Sequence, residues 1–261
     1  MTTTARLEQV GCISLIDLLG ICEVQGRDGL PYPFWRTQPA AAPETNASVV
    51  AERFDGGDLT IFQRWARAYV EADIWVECRV NFTSADPDLR ILAYRAGDLG
   101  FLASQRPGED VVDVFALSPY DLGAAIAESV DLVAPGQHSS IVIPGYLDRF
   151  TRNVPRDEGE DHFEWHVSLR VAPTRRREHV VPAGDVAAMT TLQSRCVPAR
   201  EWGVNWDGSV AVCVRLQDDG DYLFAPDLER AVPVTEQGLA ERIDTLIAED
   251  VAVLRRRRGL G

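Results

Sequence analysis

Few side chains of this sequence could bind a metal or catalyse a reaction, and their spacing suits neither task. The chain has four histidines, and two of them stand in the run His162-Phe-Glu-Trp-His166. If this run is a strand, the two rings share a face but their backbones lie roughly 13 Å apart, too far to bind one ion. If it is a helix, the spacing suits a metal, but a third ligand must come from elsewhere. Two surface histidines are the favoured interpretation, and no metal site is predicted.

Motifs for nucleophilic catalysis and phosphate binding are also missing. The sequence has no GxSxG turn and no GxGxxG loop. A histidine stands beside serines in His138-Ser139-Ser140, but neighbours in sequence do not make a catalytic triad. All 26 basic residues are arginine, so a Schiff-base or phosphate-loop lysine cannot exist. Paired carboxylates such as Asp218-Asp219 stand in polar turns, where both would be solvated, whereas acid–base catalysis needs one of them desolvated. We therefore predict no catalytic residue, no cofactor and no enzyme activity.

Length, composition and charge indicate where the protein is located and which kinds of partner it can bind. With 261 residues, of which 46% are hydrophobic, the chain can bury a full core. Its formal charge of −14 argues against binding nucleic acid. The five cysteines form no CxxC pair, which favours free thiols in a reducing compartment. Because Asp17 interrupts the apolar stretch Cys12–Cys22, we expect no signal peptide, no membrane insertion and a cytoplasmic location.

Hydrophobic periodicity predicts a helix, four strands and a helix in the first half. The helix covers Asp58–Val70, with Asp58 as its N-cap. The strand Ile74–Phe82 follows, with alternate residues on one face. Three more strands follow, separated by turn residues; they are Leu89–Arg95, Leu99–Gln105 and Asp110–Leu117. A helix that begins at Ser118-Pro119 comes after them.

The second half is predicted to repeat this order. Its first helix covers Pro182–Ser194 and its last begins at Thr235. Between them we expect a hairpin around Asp207-Gly208 and two further short strands; the four strands are Ala199–Trp206, Ser209–Leu216, Asp221–Ala225 and Arg230–Val234. The segment Arg152–Val181 joins the halves and contains an alternating strand over Phe163–Val171. Gln25–Pro43 holds four prolines and is expected to be an extended excursion.

The repeated order predicts an internal duplication. Ser118, Leu122 and Ile126 match Thr235, Leu239 and Ile243 at a constant offset of 117 residues. The fold class is therefore α+β, with a mainly antiparallel sheet whose helices lie on one face. We expect a single domain over 1–261, made of halves covering about 1–135 and 136–261. A pseudo-two-fold axis would relate them.

This layout resembles the EspG family of type VII (ESX) secretion-associated proteins of actinobacteria. The resemblance covers nearly the whole chain and lies in its pattern of elements. Its main segments are Leu59–Val80, Tyr94–Ala103, Gly220-Asp-Tyr-Leu-Phe224 with the closing helix, and Pro135-Gly136 followed by Ser140–Pro144. The link Arg152–Arg177 departs from the family pattern, which tends towards helix there, and so does Gln217–Tyr222.

The resemblance implies a cytosolic chaperone for PE–PPE-type heterodimers. Such a protein binds the exposed apolar tip of a helical secreted pair, keeps the pair soluble and helps to target it for export. Two other functions stay open from the residues themselves. One is a small-molecule-binding protein or enzyme with a cavity between sheet and helices. The other is a structural subunit of a larger assembly.

Four side chains are predicted to mark the partner-binding face. Trp75 and Tyr94 are out of phase with the apolar residues of their strands, so they should project from the sheet face opposite the helices. Arg79 and Arg215 are assigned to the same face. Aromatic residues and arginine are enriched at interface hot spots. The alternative is that a second layer of structure buries them.

Overall fold

The sheet is the organising element of the protein. The structure, a computed structural model, describes residues 5–37, 47–151, 179–197 and 203–259. In these ranges eleven strands form one sheet in the order β1-β5-β4-β3-β2-β8-β9-β10-β11-β6-β7. The strands are β1 Glu8–Ser14, β2 Ile74–Phe82, β3 Leu89–Ala96, β4 Leu99–Gln105, β5 Val111–Leu117, β6 Ile141–Val142, β7 His179–Val180, β8 Val186–Arg195, β9 Ala211–Leu216, β10 Asp221–Phe224 and β11 Ala231–Pro233. All pairs are antiparallel except β6 with β7.

Helices pack on both faces of this sheet. The helices are α1 Leu15–Val24, α2 Ala47–Gly56, α3 Gln63–Glu71, α4 Leu122–Val130, α5 Asp148–Thr151 and α6 Glu236–Arg257, with short 3₁₀ helices at Asp58–Phe62 and Ala183–Asp185. We call the face that carries α4 and α6 the first face and the opposite one the second face. The protein is therefore α+β with a large, mostly antiparallel sheet, as the sequence predicts.

The first face carries a core that strands β2, β3, β4, β8 and β9 share with α4 and α6. Alternate residues of β2, among them Val76 and Cys78, point to this face and pack against α4 and α6. The two helices also contact each other, and Leu122 and Leu239 are 1% and 0% exposed. Thr235 caps α6, because its side-chain oxygen accepts a hydrogen bond from the Gly238 amide at 3.0 Å. The predicted cap of this helix is confirmed.

The second face is covered as well, which corrects the expectation that helices lie on one face only. Over β2 to β5, helices α1, α2 and α3 form a second core with the sheet. Over β8 to β11, a third core includes Ile143, Tyr146 and Leu147 from the segment after β6. The reason is visible in β2, where every residue of Ile74–Cys78 is buried. A strand that is buried on both faces needs a layer on each side.

Three predictions of local structure are wrong, and a fourth lies outside the described residues. Pro182–Ser194 is mostly strand β8 and not a helix, because this segment pairs along its length with β2. The partner of β9 is therefore β8, and the predicted hairpin around Asp207-Gly208 is wrong: Gly203–Trp206 is irregular, and residues 199–202 lie outside the described ranges. Asp58 is not an N-cap, because it is the first residue of the 3₁₀ helix Asp58–Phe62, whose N-cap is Gly57. The predicted strand Phe163–Val171 lies outside the described residues.

Whether a helix can span a membrane depends on its length and its apolarity. A spanning helix needs about 20 consecutive, predominantly apolar residues. None of the described helices combines that length with that apolarity.

Candidate protein-binding surface

Two of the four predicted contact residues are buried under α3. Trp75 is 4% exposed and Tyr94 is 0% exposed. The Tyr94 hydroxyl donates a hydrogen bond to the Trp65 carbonyl at 2.7 Å, and the Tyr69 ring packs edge-on against both Trp75 and Tyr94. A partner cannot reach these rings while α3 is in place. The alternative interpretation, burial by a second layer, is the correct one for this pair.

Arg215 lies on the other side of the sheet from the predicted surface. It alternates in phase with Ala211 and Cys213, which pack on the first face. Its Nε donates to Asp221 Oδ1 at 2.9 Å, and its Nη2 donates to the Asp131 carbonyl at 2.7 Å. Arg215 therefore ties the end of α4 to β10, and its assignment to the second face is wrong.

Arg79 does lie on the second face, near the end of β2. It shares one carboxylate oxygen with a neighbouring arginine: Asp88 Oδ2 accepts from Arg79 Nη2 and from Arg90 Nη2, each at 2.7 Å. Burial and the adjacent Arg79 charge lower the pKa of Arg90. Two guanidinium groups thus donate to one carboxylate oxygen at this end of the sheet.

A tryptophan that the sequence analysis passed over lies beside these arginines. Residues 31–34 form a turn in which the Phe34 amide donates to the Pro31 carbonyl at 3.0 Å, and Trp35 then lies against the end of β4. The Trp35 amide donates to Gln105 Oε1 at 3.0 Å, and Gln105 Nε2 donates to the Trp35 carbonyl at 2.8 Å. Arg90 Nη1 donates to the Pro33 carbonyl at 3.0 Å, which fixes the same segment to β3. The Trp35 residue is 54% exposed.

We call the group Trp35, Arg79, Asp88, Arg90 and Gln105 the Trp35 surface. It combines an exposed tryptophan with two arginines, which are residue types enriched at interface hot spots. The signal that could have identified it is a tryptophan inside a proline-rich segment. From the sequence, that segment is expected only to be an extended excursion.

The middle of the second face carries polar side chains that are buried and paired with each other. Glu77 is 4% exposed, and its Oε2 accepts a hydrogen bond from Arg195 Nε at 2.8 Å. Burial raises the pKa of Glu77 to about 7, although the Arg195 charge opposes this change. Arg195 Nη2 also donates to the Gly203 carbonyl at 2.9 Å. This ion pair joins β2, β8 and the segment before β9, so its role is structural.

One pocket in the described residues bears on the small-molecule alternative. A cavity lies among α1, α3 and the loop after α1, with Leu18, Cys22, Trp65 and Tyr69 in its apolar wall. Its volume of about 20 Å³ is room for roughly one water molecule. It is not the cavity between sheet and helices that the small-molecule alternative requires. Within the described residues, no group of three or more His, Cys, Asp and Glu side chains could hold a metal ion.

Comparison with known proteins gives a likeness of fold to solved structures. No protein-family model matches the chain. No curated protein matches it either. Among solved structures it is similar to the Mycobacterium tuberculosis type VII secretion system chaperone EspG5, determined in complex with a PE25–PPE41 dimer. The TM-score is 0.50 at 14% sequence identity, and the match covers 90% of this chain and 95% of that chain. The EspG resemblance seen in the sequence is thereby confirmed at the level of the fold.

Proposed function

We propose that the protein is a cytosolic chaperone for PE–PPE-type heterodimers of an actinobacterial type VII secretion system. It binds the helical pair, keeps it soluble and helps to target it for export. The observation that carries this proposal is the match of fold, over 90% of the chain, to a chaperone solved with such a dimer. An exposed apolar helix tip is an aggregation hazard. Covering it requires a complementary surface and no catalytic residue.

We propose further that the single domain is an internal duplication. Strands β2–β5 followed by α4 have the same order as β8–β11 followed by α6. Cys78 and Leu192 are paired at the centre of the sheet, Cys78 also pairs with Ile91, and Leu192 pairs with Ala211. All four side chains pack on the first face. These matches support a pseudo-two-fold axis between Cys78 and Leu192, relating halves of about 1–135 and 136–261.

Within this function, the Trp35 surface is the proposed contact site. Arg79 remains a proposed contact residue. Trp75, Tyr94 and Arg215 contribute only by supporting the fold that presents it. Both backbone groups of Trp35 are tied to the Gln105 side chain. A large side chain on a segment that is already ordered loses little conformational freedom on binding, which favours affinity.

The first test is co-expression with the PE–PPE-like pair encoded nearby, followed by size-exclusion chromatography. The expected result is a one-to-one-to-one complex that contains the protein and both chains of the pair. The pair alone should precipitate or aggregate, because its apolar tip is uncovered. If the pair stays soluble without the protein and elutes separately from it, the proposed function is refuted.

The second test asks where the partner binds. Trp35→Ala should weaken the complex at least tenfold, since truncating a hot-spot tryptophan costs about 2 kcal/mol or more. The matched control is Tyr120→Ala: Tyr120 is 86% exposed and lies beyond the opposite end of β5. Relative affinity can be measured by competition, in which the purified wild-type complex is incubated with each tagged variant and the share of the pair that the variant captures is quantified; circular dichroism should show both variants folded. Wild-type affinity in Trp35→Ala would remove the Trp35 surface while leaving the chaperone function intact.

A further inference from the structure

The last turn of α6 carries four arginines in succession. The helix continues to Arg257, Arg258 is its C-cap, and all four residues of Arg255–Arg258 are exposed. The Arg258 amide donates to the Leu254 carbonyl at 3.0 Å, and the Gly259 amide donates to the Arg256 carbonyl at 3.2 Å. The hydrogen-bonded backbone therefore includes the arginines, so the directions of their side chains follow from the geometry of the helix.

Four consecutive residues of a helix point in four different directions. Each residue is turned by about 100° from the one before it, because a helix has about 3.6 residues per turn. Arg255–Arg258 therefore surround the end of α6 with positive charge on all sides, and we call this group the arginine ring. A groove in a partner protein would contact one side of the helix and reach only part of the ring. A flat surface that meets α6 end-on can attract all four arginines.

The turn before the arginine ring is apolar and only partly buried. It consists of Val251–Leu254, and each of its four residues keeps some exposed surface. Val251 and Leu254 pack against the core of the first face, which holds this end of the helix on the sheet. Apolar atoms thus lie directly behind the ring of charge. Helices that bind at the surface of a bilayer combine arginine with apolar residues in this way, because the charges contact the headgroups and the apolar atoms contact the start of the acyl chains.

The end of α6 is positive although the whole protein is negative, with a formal charge of −14. From Glu249 to Arg258, four arginines stand against two acidic residues. One of these, Glu249, has its Oε1 3.8 Å from Arg242 Nη1, and the other, Asp250, is partly buried. Salt screens exposed charges that are more than about 8 Å apart at physiological ionic strength. A surface in contact with the arginine ring is therefore influenced mainly by the ring and much less by the distant acidic residues.

We propose that the arginine ring binds the protein peripherally to an anionic lipid bilayer, with α6 meeting the surface end-on. Clusters of four or more basic residues on a helix are typical of binding to anionic lipids. Each arginine at such a surface increases the partition onto the bilayer about fivefold. The inference goes beyond the proposed chaperone function and does not depend on it, since it concerns the protein without its partner. Where both hold, the ring brings the helical pair to the membrane across which it is exported.

The test is co-sedimentation of the purified protein with lipid vesicles. One set of vesicles is an equal mixture of phosphatidylglycerol and phosphatidylcholine, and the other is phosphatidylcholine alone. The wild type should bind the anionic vesicles and not the neutral ones, and its binding should weaken as salt is added. The double variant Arg255→Gln and Arg256→Gln should reduce the partition by roughly tenfold or more, because it removes two charges of the ring. The matched control is Arg64→Gln with Arg67→Gln, which removes two exposed arginines of α3 and should bind like the wild type.

A further variant separates a bilayer from a protein partner. Replacing all four residues of Arg255–Arg258 by lysine keeps the charge but removes the planar guanidinium groups that bind carboxylates in pairs of hydrogen bonds. This variant should still bind the anionic vesicles. If circular dichroism shows that the first double variant disturbs α6, Arg257→Gln with Arg258→Gln removes the same charge at the last positions of the helix.

Three results would overturn the proposal. The first is a wild-type protein that does not sediment with anionic vesicles at low salt. The second is an equal loss of binding in the α6 and α3 double variants, because overall charge and not the arginine ring would then control binding. The third is loss of binding in the lysine variant, which would indicate a site that recognises guanidinium geometry, as a partner protein does.

Discussion

The buried ion pair at the centre of the second face should make the stability of this protein depend on pH. The perturbation is Glu77→Gln, which keeps the size of the side chain and removes its charge. Burial raises the pKa of Glu77 from 4.5 to about 7 in the folded protein. Between these two pH values the folded state binds more protons than the unfolded state. The free energy of unfolding must therefore fall as pH rises through this window.

The magnitude follows from the size of the shift. One pKa unit corresponds to about 1.4 kcal/mol. Between pH 5 and pH 8, Glu77 should reduce the free energy of unfolding of the wild-type protein by about 2–3 kcal/mol. Glu77→Gln should lose this contribution. Removing the charged partner of Arg195 also lowers the free energy of unfolding, by an amount that does not vary over this pH range. It therefore shifts the whole curve of free energy against pH but does not change its slope.

The assay is urea unfolding followed by tryptophan fluorescence, at half-unit steps from pH 5 to pH 8. The free energies come from linear extrapolation. The quantity compared is the difference between variant and wild type at each pH, in which other titrating groups cancel. The control is Glu8→Gln, which removes the charge of an exposed glutamate on β1 and should not change the slope. Parallel curves for wild type and Glu77→Gln would refute the reasoning.

Two further predictions concern burial. Trp75→Ala should lower the free energy of unfolding by about 3–5 kcal/mol in urea unfolding, because it opens a cavity beneath α3, whereas Tyr120→Ala should change it by less than about 0.5 kcal/mol; equal effects would contradict the observed burial. In a thiol titration of the native protein with a disulfide reagent, the exposed Cys12 should react quickly, while three buried thiols should react only after unfolding. Burial raises the pKa of each of them, and the three are Cys22, Cys78 and Cys213. Rapid modification of all three in the folded protein would refute this second prediction.

The structure changes the picture of how a partner would bind. A free sheet face was expected to grip another polypeptide, but both faces carry a packed layer. The proposed contact site moves to the end of strands β2, β3 and β4, where Trp35 lies on the edge of the second layer. Of the residues first proposed, only Arg79 belongs to it. The proposed partner is the same, while the surface offered to it is smaller and lies at the border of the covered face.

Strand and helix positions with strong local signals were predictable from the chain. The bounds of Ile74–Phe82 and Leu99–Gln105 are confirmed residue for residue. Alternating apolar residues and glycine or proline turns specify such elements within a few positions. The last helix, capped by Thr235, is confirmed for the same reason.

Long-range pairing decided the rest. The segment Val186–Arg195 has apolar residues that suit a helix as well as a strand, and it is a strand because β2 and β9 lie on either side of it. Trp35 is placed by Gln105, 70 residues further along the chain. The stack of His138 on His179 depends on the parallel pairing of β6 with β7. Local periodicity determines which face of an element is apolar, but it contains no information on which distant element covers that face. Only the folded sheet, with a layer on each side, determined which tryptophans and arginines remain accessible.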